Sequence, residues 1–233
     1  MAAWDRISVI LHMKSDMPLM KVNGKTKAKS VLEFEKVHFA YPDGKEVLHD
    51  ISFELEAGKT YALVGPTGGG KTTTASLMAR LYDPTAGTVR LNGQDIRSVP
   101  LAERATKIGF ILQDPFLFTG TVLENILYGN EELQALTEKD LAAELKKAKL
   151  SGLLKRFENG LETRISSGSD AMSLGQRQLI AFMRAVLRNP SLLILDEATA
   201  NIDTVTEQLL EDILKNLHKE TTRVIIAHRL NTI

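Results

Sequence analysis

Two kinds of hydrophobic spacing divide the chain. Between Val31 and Gly58, apolar residues come in short runs split by turn residues. Leu32 and Phe34 lead into residues 37–41, Pro42-Asp43-Gly44 makes a turn, and Ile51, Phe53 and Leu55 alternate with polar neighbours. Period-two alternation marks strands with one buried face, and the turn between them predicts an antiparallel pairing. Tyr61-Ala62-Leu63-Val64 is apolar throughout. Such a run predicts a central parallel strand covered by helices on both faces. Comparable runs occur at 108–112, 192–195 and 224–227, while helical spacing marks 71–82, 141–150, 176–187 and 208–217. This alternation predicts an α/β core with a parallel sheet.

Composition narrows the picture. The 233 residues carry 29 Lys and Arg against 29 Asp and Glu, a balance that disfavours a dedicated nucleic-acid binder. With 43% apolar and 25% charged residues, the chain reads as an ordinary folded protein. No cysteine is present, which excludes disulfides, thiolate metal sites and a cysteine nucleophile. The apolar stretches fall short of the roughly 18 residues a membrane span needs. The first thirty residues hold six basic groups against two acidic ones and read as a linker, either a solvated basic leader or a segment near an anionic membrane surface. Ala3, Ile7, Ile10 and Leu11 recur at helical spacing, which predicts residues 2–11 as the last turns of a helix begun elsewhere.

The strongest chemical signal follows the run at 61–64. Gly65, Pro66, Thr67, Gly68, Gly69, Gly70, Lys71 and Thr72 fit the phosphate-loop pattern G-x-x-x-x-G-K-[ST] between a strand and a helix. Glycines let the backbone adopt φ > 0 and wrap a polyphosphate with its N–H groups. Lys71 then reaches the β- and γ-phosphates, Thr72 offers a hydroxyl to Mg²⁺, and the helix N-terminus adds partial positive charge. A nucleoside triphosphate with Mg²⁺ is the expected ligand. A second signal is the buried run ending in Asp196 and Glu197. Asp196 would hold Mg²⁺ and Glu197 would polarise the attacking water. Alone, an Asp-Glu pair is more often a helix start; the phosphate loop favours the catalytic reading.

Taken together, residues 31–233 resemble the nucleotide-binding domain of ATP-binding cassette (ABC) exporters. Tyr41 stands where the family stacks an aromatic on adenine. Gln113 matches the glutamine loop that touches Mg²⁺ and the attacking water, and His228 matches the histidine at the γ-phosphate. Ser173-Leu174-Gly175-Gln176 sits where the signature reads Leu-Ser-Gly-Gly-Gln, and Ala200-Asn201-Ile202-Asp203 where a loop reads Ser-Ala-Leu-Asp. Singly, Tyr41 could be a strand aromatic, His228 a surface residue and Gln113 a strand-end polar group; their order relative to Lys71 and Asp196 carries the resemblance. Residues 116–126 resemble the exporter segment after the glutamine.

The resemblance implies a P-loop ATPase core with a parallel sheet, a small antiparallel β subdomain and an inserted α-helical subdomain at about 114–180. Residues 1–30 would be a linker after an absent transmembrane domain, and the C-terminal elements would lie beyond residue 233. It implies catalytic roles for Glu197, His228 and Gln113, with Mg²⁺ held by Thr72, Gln113 and Asp196. Nucleotide contacts would come from Tyr41, the phosphate loop through Thr73, and Ser173, Gly175 and Gln176 of a neighbouring copy. The expected activity is ATP hydrolysis driving export at the cytoplasmic membrane face, through dimerisation with a second nucleotide-binding domain, without nucleic acid; this piece alone would be soluble. The alternatives are a soluble or importer-type cassette ATPase and a non-hydrolysing nucleotide switch.

Two departures stand out. Leu174 replaces the first signature glycine, and residues 163–168 lack the carboxylate that exporters carry there. They favour an asymmetric heterodimer over a homodimer.

Overall fold

The computed structural model describes residues 30–42, 44–166, 172–196 and 203–226, together with residues 4, 7, 8, 11, 12 and 17–22 of the leader. The first sheet is antiparallel. Strands β1 (Leu32–Ala40), β2 (Glu46–Leu55), β4 (Ala86–Leu91) and β5 (Gln94–Asp95) lie in the order β2-β1-β4-β5. In β1 the buried positions are Leu32 and Phe34, then Val37 and Phe39, so the alternation slips by one residue. A bulge at Lys36, with φ 47°, accounts for the slip, and the register with β2 shifts between Phe34 and Val37. Gly87 packs against it: a Cβ there would lie 2.1 Å from the Lys36 carbonyl oxygen.

The second sheet is parallel, with β3 (Thr60–Leu63), β10 (Thr222–Ile226), β9 (Leu192–Asp196) and β6 (Ile108–Ile111) in that spatial order. All of β9 is buried. Its alternate side chains serve two different cores. Leu193 and Leu195 join the core beneath helix α6 (Leu174–Leu187), whereas Leu192 and Ile194 join the one formed by α1 (Lys71–Met78) and the antiparallel sheet. That division explains an unbroken apolar run in a strand of period two.

The run at 61–64 behaves differently from the expectation. Among the described residues β3 lies at the edge of the parallel sheet, its exposure alternates, and Val64 is 56% exposed. A four-residue apolar run has the same composition at a sheet's edge and at its centre, so the central place belongs to β9 and β10. Helix α6 departs too, since it is buried on nearly every side from Gln178 to Val186 rather than on one face.

The remaining elements fill the segment between β6 and β9. They are α3 (Val122–Leu127), α4 (Glu131–Gln134), α5 (Glu138–Lys147), the 3₁₀ turns Leu150–Arg156 and Gly160–Glu162, and the short pair β7 (Gly120–Thr121) and β8 (Arg164–Ile165). Helix α2 (Leu101–Lys107) precedes β6, and α7 (Thr204–Lys215) precedes β10. The described leader residues 4, 7, 8 and 11 are helical, as the spacing predicts, and residue 12 is helical beyond them. Farther on, the Met20 amide donates to the Arg97 carbonyl and Arg80 donates to that of Pro18, fastening the leader's end to the antiparallel side. No helix among the described residues is long and apolar enough to cross a membrane.

Candidate functional site

Strand register assembles one edge of the molecule. Ile226 pairs with Leu63 on one side and Asp196 on the other, while Ile111 pairs with Leu195. The ends of all four parallel strands therefore lie at one level, the edge where open α/β sheets bind ligands. The phosphate loop leaves β3 there, Asp196 ends β9 there, and Gln113 follows β6 by two residues. Glu197 and His228, placed in the same constellation by the sequence, lie outside the described residues, as does the loop at 200–202.

The loop has the backbone that its glycines predict. Gly65, Gly68 and Gly70 have φ of 148°, 79° and 80°. A Cβ at Gly65 or Gly68 would meet nothing within 4 Å, so open space borders both, whereas at Gly70 it would lie 2.7 Å from Leu48 Cδ2. Pro66 and Gly69 close a turn, the Gly69 amide donating to the Pro66 carbonyl. Lys71 is buried and its Nζ donates to the carbonyls of Gly65 and Pro66, both at 2.9 Å. Two of three ammonium donors thus brace the loop from inside.

Helix α1 opens at Gly70 with no side-chain cap and no acidic residue in its first turn. Its first N–H groups have no intrahelical acceptors, which leaves them and the dipole available to an anion. Thr72 is exposed at that end and Thr73 is buried behind it. Glycine backbone, brace lysine, uncapped helix, exposed hydroxyl and the buried Asp196 carboxylate form a donor set that fits a Mg²⁺–triphosphate.

Tyr41 is tied to the same helix. Its hydroxyl lies 3.0 Å from Thr73 Oγ1, and its ring meets Phe39 and Tyr82 edge-on, with centroids 4.9 and 5.3 Å away. The half-buried ring is thereby held in one orientation.

The altered signature begins α6. Ser173 is the N-cap, its Oγ accepting from the Gln176 amide while Gln176 Oε1 accepts from the Ser173 amide. This is a capping box. Gln176 Nε2 also donates to the Arg156 carbonyl at 3.0 Å, so this side chain is committed within the chain. Ser173 is exposed, and its hydroxyl proton remains available outward. Leu174 and Gly175 are half-buried in the first turn.

Sequence reasoning overlooked several supports. Asn125, 1% exposed, receives the Phe118 amide and donates to the carbonyls of Phe118 and Thr121. Arg184 donates to the Asn125 carbonyl at 2.7 Å. Burial and then the neighbouring Arg188 charge lower its pKa. Together they fix exposed Phe116 and Phe118, which border a groove of about 280 Å³ beside Tyr128. A polar residue interrupting an apolar helical stripe is the signal that could have found Gln178, 1% exposed between the signature and the core.

Comparison with known proteins bears on the family and the fold. The ABC transporter family model matches residues 48–200. A fatty acid ABC transporter ATP-binding/permease protein of Mycobacterium bovis is 42% identical over 87% of this chain and 32% of its own length. The mitochondrial ATP-binding cassette sub-family B member 10 of Mus musculus is 40% identical over 100% of this chain and 33% of its own. A solved bacterial Atm1-family ABC exporter with ATP bound is 33% identical, with TM-score 0.80 over 99% of this chain and 40% of that one. The chain thus spans about a third of the length of these two curated relatives. With its phosphate loop, its two sheets and these relatives in agreement, the chain belongs to the ABC transporter family, as one of its ATP-binding domains.

Proposed function

We propose that this chain binds Mg²⁺–ATP at the common strand edge and hydrolyses it to drive export of a substrate across a membrane. The observation that carries the reading is the alignment of the phosphate loop and Asp196 at one level of the parallel sheet, flanking an uncapped helix. Backbone amides of residues 65–70 and α1 bind the phosphates, Lys71 supplies the loop's side-chain cation, and Tyr41 stacks on the base. Thr72, Asp196 and Gln113 would hold Mg²⁺, which would neutralise charge on the phosphates. Glu197 orients and polarises the attacking water, and His228 contacts the γ-phosphate.

Residues 31–233 act as the ATP-binding unit, with a helical subdomain at about 114–180, and residues 1–30 link it to a membrane domain. The relatives whose names join ATP-binding and permease functions support the link to a membrane domain, and the unit would act at its cytoplasmic face. Two such units close head to tail on ATP, Ser173 and Gly175 of one donating to the nucleotide of the other, and open after cleavage. The half-buried Leu174, where the family has glycine, favours an asymmetric heterodimer whose competent site uses this chain's Glu197 with the partner's signature.

Product formation in a single turnover with excess protein is the test, comparing wild type with Glu197→Gln, both paired with the candidate partner. We expect ADP from the wild type and none from the variant. Binding without cleavage in the wild type would leave a nucleotide switch, and turnover that survives the substitution would end the asymmetric assignment.

A further inference from the structure

The ladder joining β6 to β9 ends at Ile111, so Gln113 and Asp114 are anchored by something other than the sheet. Helix α6 grips both. Gln178 Nε2 donates to the Gln113 carbonyl at 3.0 Å, and Arg177 Nη2 lies 3.3 Å from Asp114 Oδ1. Consecutive residues of one helix thus hold consecutive residues of one loop.

The identity of residue 178 needs a reason. Its neighbours Leu179 and Ile180 are core residues, and Gln178 itself is 1% exposed, yet its Oε1 has no hydrogen-bond partner among the described residues. Burying an amide with one end unpaired is costly, and a leucine would avoid the cost. Among the described residues, the one bond that the amide makes goes to the backbone of Gln113. We infer that Gln178 is a positioning residue for Gln113, which it sets at the correct depth over the strand edge, with Arg177 and Asp114 as the second point of attachment. This rests on the reading of Gln113 as the glutamine that meets Mg²⁺ and water. Because Ser173 caps the same helix one turn earlier, a shift of α6 when its N-terminus engages a nucleotide moves the Gln113 backbone with it.

The test uses the full-length chain with its partner. Gln178→Leu keeps the volume, removes the donor and removes the orphan acceptor, so a purely structural role predicts an unchanged or higher Tm and normal turnover. A positioning role predicts an apparent Mg²⁺ requirement raised about tenfold and kcat lowered about tenfold, the range for outer-shell partners of a metal site, with affinity for metal-free ATP unchanged. The double variant Gln113→Ala/Gln178→Leu should lose no more than Gln113→Ala alone, because one group acts through the other. Asp114→Ala, at a side chain 76% exposed, should raise the Mg²⁺ requirement in the same sense by less and cannot be blamed on the core. If Gln178→Leu does not fold, Gln178→Met and Asp114→Ala decide the matter. Wild-type Mg²⁺ dependence in the Gln178 variant, alongside a defective Gln113→Ala, would overturn the inference and spare the reading of Gln113. A wild-type Gln113→Ala would overturn that reading itself.

Discussion

Helices α1 and α6 both begin near nucleotide-binding motifs, and they begin in opposite ways. Helix α1 opens on a left-handed glycine with no side-chain cap, and Lys71, its first residue, points its ammonium back into the preceding loop. Helix α6 opens on Ser173 with a complete capping box and a further bond from Gln176 to Arg156. The first start is incomplete until an anion arrives; the second is satisfied by its own side chains and has one outward hydroxyl to spare. An N-terminus without a side-chain cap leaves its first amides open to an anion, and Gly70 withholds that cap from α1.

Breaking the uncapped end should have the largest effect. Lys71→Ala removes the loop's side-chain cation together with both bonds that brace Gly65 and Pro66. At about 1.5–3 kcal/mol for a charged hydrogen bond, MgATP affinity should fall by at least tenfold to a hundredfold in calorimetric titration. Unchanged affinity would remove α1 from the site. Gly70→Ala attacks the same end through the backbone, since φ of 80° and the 2.7 Å approach to Leu48 oppose a Cβ. Left-handed strain alone costs about 1–2 kcal/mol, read as a lowered Tm with weaker nucleotide binding. A Tm equal to wild type would show that the loop is not held in this conformation.

At the capped end the effects should be smaller and should separate stability from function. Ser173→Ala loses the cap for about 1 kcal/mol and, in the assembled dimer, the outward hydroxyl as well. Leu174→Gly runs the other way. It should cost about 0.5–1 kcal/mol of helix stability while raising ATPase turnover at the site this signature covers, measured with the partner present. A drop in turnover alongside the drop in Tm would mean that Leu174 is tolerated rather than responsible for asymmetry.

The same contrast governs what could be read from the chain. The phosphate loop was legible because its chemistry is local: every φ that needs glycine lies within the motif. The strand ending at Asp196 was legible because both its faces are buried. The edge place of β3 was not, since Tyr61 to Val64 look alike whether or not a strand pairs on each side, and pairing is settled by residues 163 positions away. The bulge at Lys36 and its partner Gly87 are likewise a contact across sequence. Gln178, Asn125 and Arg184 escaped for the same reason. Each is a wholly or partly buried polar side chain whose meaning lies in a backbone carbonyl elsewhere in the chain.

A third helix start supplies the finest measure of the contrast. Asp203 caps α7, accepting from the Thr206 hydroxyl at 2.7 Å and from the Thr206 amide at 3.1 Å. The hydroxyl bond first, then the amide bond, hold its pKa below the ordinary 3.8. Because the folded carboxyl ionises more readily than the unfolded one, the unfolded chain binds more protons between the two values, and stability rises with pH there. The cap's ionic contribution is complete above the ordinary value and disappears as pH falls through the lowered one. Asp203→Asn keeps an oxygen for the amide but carries no charge, so its Tm should lie slightly below wild type at neutral pH and converge with it in acid. Curves that stay parallel throughout would show that the α7 cap works as a neutral hydrogen-bond acceptor, in the manner of Ser173, and that charge adds nothing to it.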